Sequence, residues 1–142
     1  MAELRPPMLD DHGLVATLEW YGHQFSQRFG ISITVREPEP EPRLPDFVEN
    51  ALFRITQEAL TNVAKHAQAT QAAILLEVEP NKVSLSVKDD GIGFRINPAD
   101  STTEAKGGAL ATMTERAEAA GGQCQILSAL HQGTEVLVEV PR

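Results

Sequence analysis

One long amphipathic segment limits the fold of this chain more than any other feature. It is DFVENALFRITQEALTNVAKHA, at residues 46–67. At about 100° per residue, its apolar side chains fall within one half of a helical circumference. These are Val48, Leu52, Ile55, Ala59, Leu60, Val63 and Ala67. Arg54, Glu58, Asn62 and Lys65 fall on the other half. The segment therefore predicts a helix that covers a core with one side and presents polar groups on the other.

Short β-branched or alternating segments predict the strands of a sheet. They lie at 31–35, 72–79, 82–89, 123–129 and 134–141, and the last two read as a closing pair. Residues 36–45 alternate prolines with glutamates and predict an extended connector.

Two further helices complete the prediction. One runs from Leu9 to Phe29, with Asp10 or Asp11 as its cap and Gly30 as its stop, and another covers about 108–120 and ends at Gly121-Gly122. The order of helices and strands favours an α/β two-layer sandwich, in which one mixed sheet has helices on one face.

Charge and cysteine content exclude several classes of protein. Twelve basic and 20 acidic residues give a formal net charge of −8, which argues against a general nucleic-acid binder because such a protein needs a basic face. Cys124 is the only cysteine, so the chain has no internal disulfide and no cysteine-based metal cluster. We expect a cytoplasmic, reducing environment.

Glu58, Asn62 and Lys65 line one edge of the predicted helix, within about 60° of each other in projection. This set fits a magnesium–phosphate site, because Mg²⁺ takes only one or two oxygen ligands from protein and the rest from phosphates and water. Asn62 would supply an oxygen, Lys65 would meet phosphate charge, and Glu58 would polarise a water or hydroxyl. For a helix taken alone, a solvated polar face is the simpler interpretation.

The segment VKDDGIGF places two adjacent aspartates at the end of a strand. By period two, Asp89 shares the apolar face of that strand, whereas Asp90 shares the polar face and looks to water. A carboxylate at the edge of a core needs hydrogen-bond donors, and an adenine amino group is a suitable one. Gly91 and Gly93 would let backbone approach a flat base closely. A simple Asp-Gly turn would explain the same residues.

The segment KGGALATMTERAEAAGG, residues 106–122, places glycines before a helix. The free N–H groups of a helix N-terminus suit phosphate. An ordinary helix entry with a Gly-Gly end is the alternative, and Leu110 and Met113 are expected in the core.

Taken together in this order, QEALTNVAKH, VKDDGIGF, a polar loop, GGALATMTERAEAAGG and GTEVLVEVP resemble the ATP-binding catalytic domain of bacterial sensor histidine kinases. They are most similar to the nitrate/nitrite-sensor subfamily. The resemblance implies the Bergerat ATP-binding fold and the cofactors ATP and Mg²⁺. It also implies that Asn62 binds magnesium, that Glu58 lies near the γ-phosphate, and that Lys65 and His66 face the phosphates.

The resemblance further implies the shape of the base pocket. Asp89 would bind the adenine amino group, Gly91 and Gly93 would shape the pocket, and Thr134 would lie near Asp89. Residues 95–106 would be a mobile ATP lid, and Gly107 and Gly108 would lie at its end.

The segment LRPPMLDDHGLVATLEW resembles the end of the dimerisation-helix region in that subfamily. The resemblance thus divides the chain into residues 1–29, the end of this region with a connecting helix, and residues 30–142, the ATP-binding domain. The implied partners are a histidine-bearing dimerisation domain of the parent kinase and a response regulator, with a homodimer expected only for the full-length protein. The resemblance is compatible with a parent kinase that is anchored in a membrane and with one that is not.

Two departures from the subfamily pattern keep alternatives open. Its glycine box reads Gly-x-Gly-Leu-x-Gly-Met, whereas this chain has Gly107, Ala109 and Thr112 at the glycine positions. None of the histidines at 12, 23, 66 and 131 lies in the phosphoacceptor setting. One alternative is therefore a degenerate module of the same fold that signals through contacts without useful ATP affinity. The other is a stand-alone serine kinase of the anti-sigma-factor type.

Overall fold

The computed structural model describes residues 6–36, 43–92, 109–128 and 132–142. In chain order the elements are α1 (Pro7–Phe29), β1 (Ser32–Arg36), α2 (Asp46–Asn62), a π-helical end (Val63–Ala67), β2 (Gln71–Val78), β3 (Lys82–Asp89), α3 (Ala109–Ala119), β4 (Gln123–Ser128) and β5 (Thr134–Pro141). Every described helix and strand lies within about two residues of its predicted position.

The five strands form one mixed sheet in the order β1-β2-β3-β5-β4. β1 pairs in parallel with β2, and the other neighbours are antiparallel. The three helices pack on this sheet, so the predicted α/β sandwich is confirmed.

Strict alternation of apolar and polar residues decides which face of the sheet is covered. β3 alternates between partly exposed and buried positions along its length, and β2 and β5 show the same period. Their buried side chains join those of the helices in one core. From the three central strands these are Ala72, Ile74, Leu76, Val83, Leu85, Val87, Val136, Val138 and Val140.

The predicted apolar half of α2 is confirmed at Val48, Leu52, Ile55, Ala59, Leu60 and Val63, all of which are buried. Its last turn differs from the prediction. Residues 63–67 form a π-helical turn rather than an α-helical one. Because a π turn contains more residues than an α turn, Lys65 points in a different direction from the one that 100° per residue predicts.

The predicted cap of α1 is wrong. The helix begins at Pro7, after Pro6 in extended conformation, so Asp10 and Asp11 lie inside the helix. Proline suits the first helical position because its missing N–H would have no partner there. A break follows at Gly13 (φ 86°, ψ 176°). The predicted stop is confirmed: Gly30 is left-handed, and its N–H donates to the Ser26 carbonyl at 2.9 Å.

A buried carboxylate joins the start of α2 to α1. Glu49 is fully buried, and its oxygens accept hydrogen bonds from the Arg43 guanidinium at 3.2 and 3.3 Å and from the Leu44 N–H at 3.3 Å. Arg43 also donates to the Leu9 carbonyl at 3.2 Å. A buried charge requires such partners. Glu49 therefore fixes the segment that leads into α2 and, through Arg43, the first turn of α1.

Candidate functional site

Asp89 is the last residue of β3, and its side chain is buried at the edge of the core with 6% exposure. The prediction from strand parity is therefore confirmed. Beyond the strand the backbone turns back, so that the Gly91 N–H donates to Asp89 Oδ1 at 2.8 Å. The carboxylate is thus held in one orientation by the segment that follows it.

The start of β5 closes the other side of Asp89. The backbone N–H of Thr134 donates to the carboxylate, and Gly133 lies against the Asp89 backbone with a φ of 78°. Burial raises the pKa of Asp89 above 3.8, the N–H groups of Gly91 and Thr134 oppose that shift, and the charge of Asp90 adds to it. The predicted proximity of Thr134 and Asp89 is confirmed. A carboxylate in this setting gains from a further donor supplied by a ligand.

Asp90 is exposed, as predicted, but its side chain accepts several hydrogen bonds. Oδ1 accepts hydrogen bonds from the N–H groups of Thr70 and Gln71 at 2.9 and 3.0 Å, and Oδ2 accepts one from Thr70 Oγ1 at 2.7 Å. The Thr70 hydroxyl and these two N–H groups lower the pKa of Asp90 to about 2. Adjacent aspartates therefore have pKa shifts of opposite direction, one from burial and the other from hydrogen bonding.

The polar edge of α2 carries the second set of candidate residues. Glu58 and Asn62 are partly buried, whereas Lys65, in the π-helical end, is exposed. Glu58 Oε1 accepts a 2.6 Å hydrogen bond from Arg116 Nε of α3. Glu58 Oε2 is buried without a hydrogen-bond partner among the described residues. One carboxylate oxygen is therefore fixed by α3, and the other is buried without a donor among the described residues.

Several predicted positions lie outside the described residues. These are Gly93, Gly107, Gly108, the lid at 95–106 and the side chains of His66, Ala109 and Leu110. Met113 is buried in the core, as predicted. Gly91 is hydrogen-bonded to the Asp89 side chain. Glu58 and Asn62 lie on α2, and Lys65 lies on its π-helical end.

Arg116 and Thr70 are functional candidates that sequence reasoning missed. Each contacts a predicted site residue that is far away in the chain: 58 positions separate Arg116 from Glu58, and 20 separate Thr70 from Asp90. Helical and strand periods report the face on which a side chain lies but not its partner on another element. The sequence holds no local signal for either contact.

Among the described residues, no group of three or more histidine, cysteine, aspartate or glutamate side chains is arranged to hold a metal ion. A magnesium site that takes most of its ligands from phosphate and water does not need such a group, so Asn62 at the edge of α2 fits the ion. Within the described ranges, no helix has the length and apolar character needed to span a bilayer.

Solved structures share this architecture. The histidine kinase domain of a blue-light activated histidine kinase from Erythrobacter litoralis EL346 superposes with a TM-score of 0.74 at 18% identity, covering 90% of this chain and 60% of that one. Full-length ShkA, solved in complex with AMPPNP, gives a TM-score of 0.71 at 25% identity, covering 99% of this chain and 32% of ShkA. The fold is thus that of histidine kinase ATPase domains.

The sequence places the chain within a family. Residues 47–142 match the model of the histidine kinase-, DNA gyrase B-, and HSP90-like ATPases, and the chain belongs to this family. It is 36% identical over 140 residues to the signal transduction histidine-protein kinase/phosphatase DegS of Brevibacillus brevis, covering 98% of this chain and 35% of DegS. It is also 36% identical over 139 residues to the oxygen sensor histidine kinase NreB of Staphylococcus carnosus, covering 98% of this chain and 39% of NreB. The resemblance drawn from the motifs is confirmed, and the chain spans well under half the length of both relatives.

Proposed function

We propose that this chain is the Mg–ATP-binding catalytic domain of a two-component sensor histidine kinase. It donates the γ-phosphoryl group of ATP to a histidine on a dimerisation domain, and that histidine passes the group to an aspartate of a response regulator. Membership of the ATPase family and similarity to proteins named as histidine kinases support the proposal. In it, residues 1–29 are the end of the dimerisation region and 30–142 are the ATP-binding domain.

The observation that carries the proposal is the Asp89 carboxylate. It is buried, it is oriented by the Gly91 and Thr134 N–H groups, and it ends a strand next to the start of β5. Such a carboxylate accepts a hydrogen bond from the exocyclic amino group of adenine and discriminates against guanine, which presents a carbonyl at that position. Gly91 and Gly93 would leave space for the flat base.

In this proposal, the phosphates and the metal would bind at the polar edge of α2. Asn62 would provide an oxygen ligand to Mg²⁺, and Lys65 and His66 would neutralise phosphate charge. Gly107 and Gly108 would lie at the end of the lid at 95–106, before α3, whose N-terminal N–H groups would suit the phosphates.

Glu58 acts near the γ-phosphate in this scheme. The Arg116 guanidinium holds Oε1 at 2.6 Å, and Oε2, which has no hydrogen-bond partner within the part of the chain that the structure describes, would orient a water or the attacking group. Phosphoryl transfer needs mainly positioning and neutralisation of charge, so a fixed carboxylate beside the phosphates is sufficient for this role.

Calorimetric titration with Mg–ATP tests the proposal, with Asp89→Asn and Asp90→Asn as a matched pair. Asp89→Asn keeps the shape but replaces an acceptor oxygen with a donor that would face the adenine amino group. Loss of a hydrogen bond to a charged group costs roughly 2–3 kcal/mol, or about 30- to 150-fold in affinity. Asp90→Asn should change the affinity by well under tenfold, and GTP should bind poorly.

Equal losses in the two variants, each shown to be folded by circular dichroism, would place the base elsewhere. No binding of Mg–ATP to the unaltered chain would refute the proposal and would favour the degenerate interaction module. The chain alone should form no phosphohistidine with labelled ATP, because none of its histidines lies in a phosphoacceptor setting. Acid-labile label on the chain would contradict that expectation.

A further inference from the structure

Asp90, just after β3, binds Thr70 in the loop that follows the π-helical end of α2, and Gln71, the first residue of β2. Its carboxylate accepts the Thr70 and Gln71 N–H groups and the Thr70 hydroxyl at 2.7–3.0 Å. Its own N–H donates to the Gln71 carbonyl at 3.2 Å. One exposed side chain thus fixes two successive residues that lie 19 and 20 positions earlier in the chain.

Besides Asp90, this segment is held by the Ser32 N–H, which donates to the Thr70 carbonyl at 3.0 Å, and by Ala69, which packs partly buried against the core. Gln68, Thr70 and Gln71 are exposed, and Gln68 has the left-handed φ of 50° that is uncommon outside glycine. Few buried contacts and exposed backbone hydrogen bonds mark a segment of low local stability. The three hydrogen bonds that Thr70 and Gln71 donate to the Asp90 side chain therefore add to these contacts in ordering the connection between the π-helical end and β2.

This loop lies next to the residues proposed to bind magnesium and phosphate. It follows the π-helical end that contains Lys65, and Asn62 precedes that end directly. Asp89, by contrast, is held by the sheet, where Ala72 pairs with it across the β2–β3 ladder. Loosening the loop would thus release the phosphate and metal side of the site while the base side stays in register.

We infer that Asp90 is a positioning residue for nucleotide binding, which holds the C-terminal end of α2, with Asn62 and Lys65, in the orientation that the magnesium and phosphates require. The inference rests on the proposed function. It assigns the two adjacent aspartates to different halves of the ligand, Asp89 to the base and Asp90, indirectly, to the metal and phosphates.

Asparagine would preserve this role and alanine would not. The Asn side-chain oxygen accepts both N–H groups as Asp90 Oδ1 does, and its amide nitrogen donates to Thr70 Oγ1, since a hydroxyl either donates or accepts. Alanine removes all three side-chain hydrogen bonds. Thr70→Val removes only the hydroxyl contact and leaves the backbone bonds intact.

The test compares Asp90→Ala, Asp90→Asn and Thr70→Val, with Asp11→Ala as a control that removes the same charge from an exposed position of α1. Removing an outer positioning partner typically costs 10- to 100-fold in metal affinity or activity, so we expect Asp90→Ala to weaken Mg–ATP binding by about tenfold or more. Asp90→Asn and Asp11→Ala should bind nearly as well as the unaltered chain, and Thr70→Val should fall in between. Adenosine binding, followed by ligand-observed NMR, should change little in all four.

Hydrogen exchange in the nucleotide-free chain supplies a readout that does not depend on ATP. Amides of residues 63–71 should exchange faster in Asp90→Ala, while those of the β3–β5 ladder stay unchanged. If the unaltered chain binds no Mg–ATP, the proposed function fails, and the exchange pattern still decides whether Asp90 orders the loop.

If Asp90→Ala folds, three outcomes would overturn the inference. Asp90→Ala could bind Mg–ATP as the unaltered chain does, or lose adenosine and Mg–ATP affinity equally, which would place its effect at the base. Asp90→Asn could be as weak as Asp90→Ala, which would assign the effect to charge instead of hydrogen bonding. If Asp90→Ala does not fold, the folded Thr70→Val variant decides, and an affinity and loop exchange equal to those of the unaltered chain overturn the inference.

Discussion

Gly133 is the residue at which stability and the base pocket are most closely linked. It combines a φ of 78° with close packing: a methyl group built on it would lie 3.1 Å from the Asp89 carbonyl carbon and would overlap the carbonyl oxygen. Gly133→Ala therefore forces an unfavourable backbone conformation and pushes apart the start of β5 and the end of β3. We expect both a loss of stability and weaker nucleotide binding.

The size of the stability loss follows from these two costs. A left-handed φ costs an alanine roughly 1–2 kcal/mol, and overpacking costs roughly 1–3 kcal/mol. The lower entropy of the unfolded alanine chain returns about 0.4–1 kcal/mol. The sum is about 3 kcal/mol, which corresponds to roughly 10 °C in Tm for a domain of this size.

Two other glycines separate the costs experimentally. Gly30 has a φ of 70° and open space around it, so Gly30→Ala should lose only about 1 kcal/mol. A methyl group on Gly122, which lacks a positive φ, would overlap the Glu139 carbonyl oxygen and lie 2.8 Å from Val140 Cγ2. Gly122→Ala should thus show the overlap cost alone.

Urea unfolding of the three variants, with a constant m-value as the condition for comparing midpoints, measures these losses. Gly133→Ala should lose about as much as the other two variants together, because it combines the left-handed φ of Gly30 with the overlap of Gly122. It alone should weaken Mg–ATP binding, since only Gly133 contacts Asp89. A Gly133→Ala variant no less stable than Gly30→Ala would show that β3 and β5 yield to the methyl group and would refute the reasoning.

Three further predictions concern ionisable side chains. Because hydrogen bonds lower the pKa of Asp90 to about 2, its stabilisation is present above the unfolded pKa and is lost as pH falls through the folded one. The unfolding free energies of the unaltered chain and Asp90→Asn should therefore converge between about pH 5 and about pH 2, and a constant difference would contradict this. Burial raises the pKa of Cys124 from 9.0 to about 11, so iodoacetamide should react near pH 8 about 100-fold more slowly than with the unfolded chain; equal rates would count against a buried thiol. A double-mutant cycle of Arg116→Met and Glu58→Gln should give a coupling of about 1 kcal/mol, and a value near zero would mean that the pair does not hold Glu58.

Periodicity accounts for what the sequence predicted well. The apolar half of α2 and the alternation of β3 each follow from a fixed angle per residue, and both predictions were confirmed. The same parity separated Asp89 from Asp90, so the burial of one and the exposure of the other were predictable without any knowledge of the fold.

The failures have local and long-range causes. The predicted start of α1 is wrong because an aspartate near a helix start is a common cap, whereas here Pro6 and Pro7 mark the first turn. The partners of Asp90 and Glu58 were out of reach because Thr70 and Arg116 come from other elements. A period describes one element at a time, whereas these contacts exist only once the sheet and helices have assembled.

Glu49 shows a further limit of periodicity. Charged residues are normally assigned to the outside of a helix, yet this carboxylate is fully buried and bound by Arg43 and the Leu44 N–H. Its burial depends on a guanidinium that precedes the helix. No pattern within residues 46–67 contains that information.

The packing of α1 into the same core as α2 and the sheet has a practical consequence for recombinant expression. Leu14, Leu18 and Phe25 of α1 belong to that core, while the family match begins only at residue 47. A fragment cut at that boundary would bare an apolar surface that α1 covers and would leave the Glu49 carboxylate without its Arg43 partner. Such a fragment should aggregate or express poorly, so a soluble version of this domain must be cloned with the helix that lies outside its homology-defined limits.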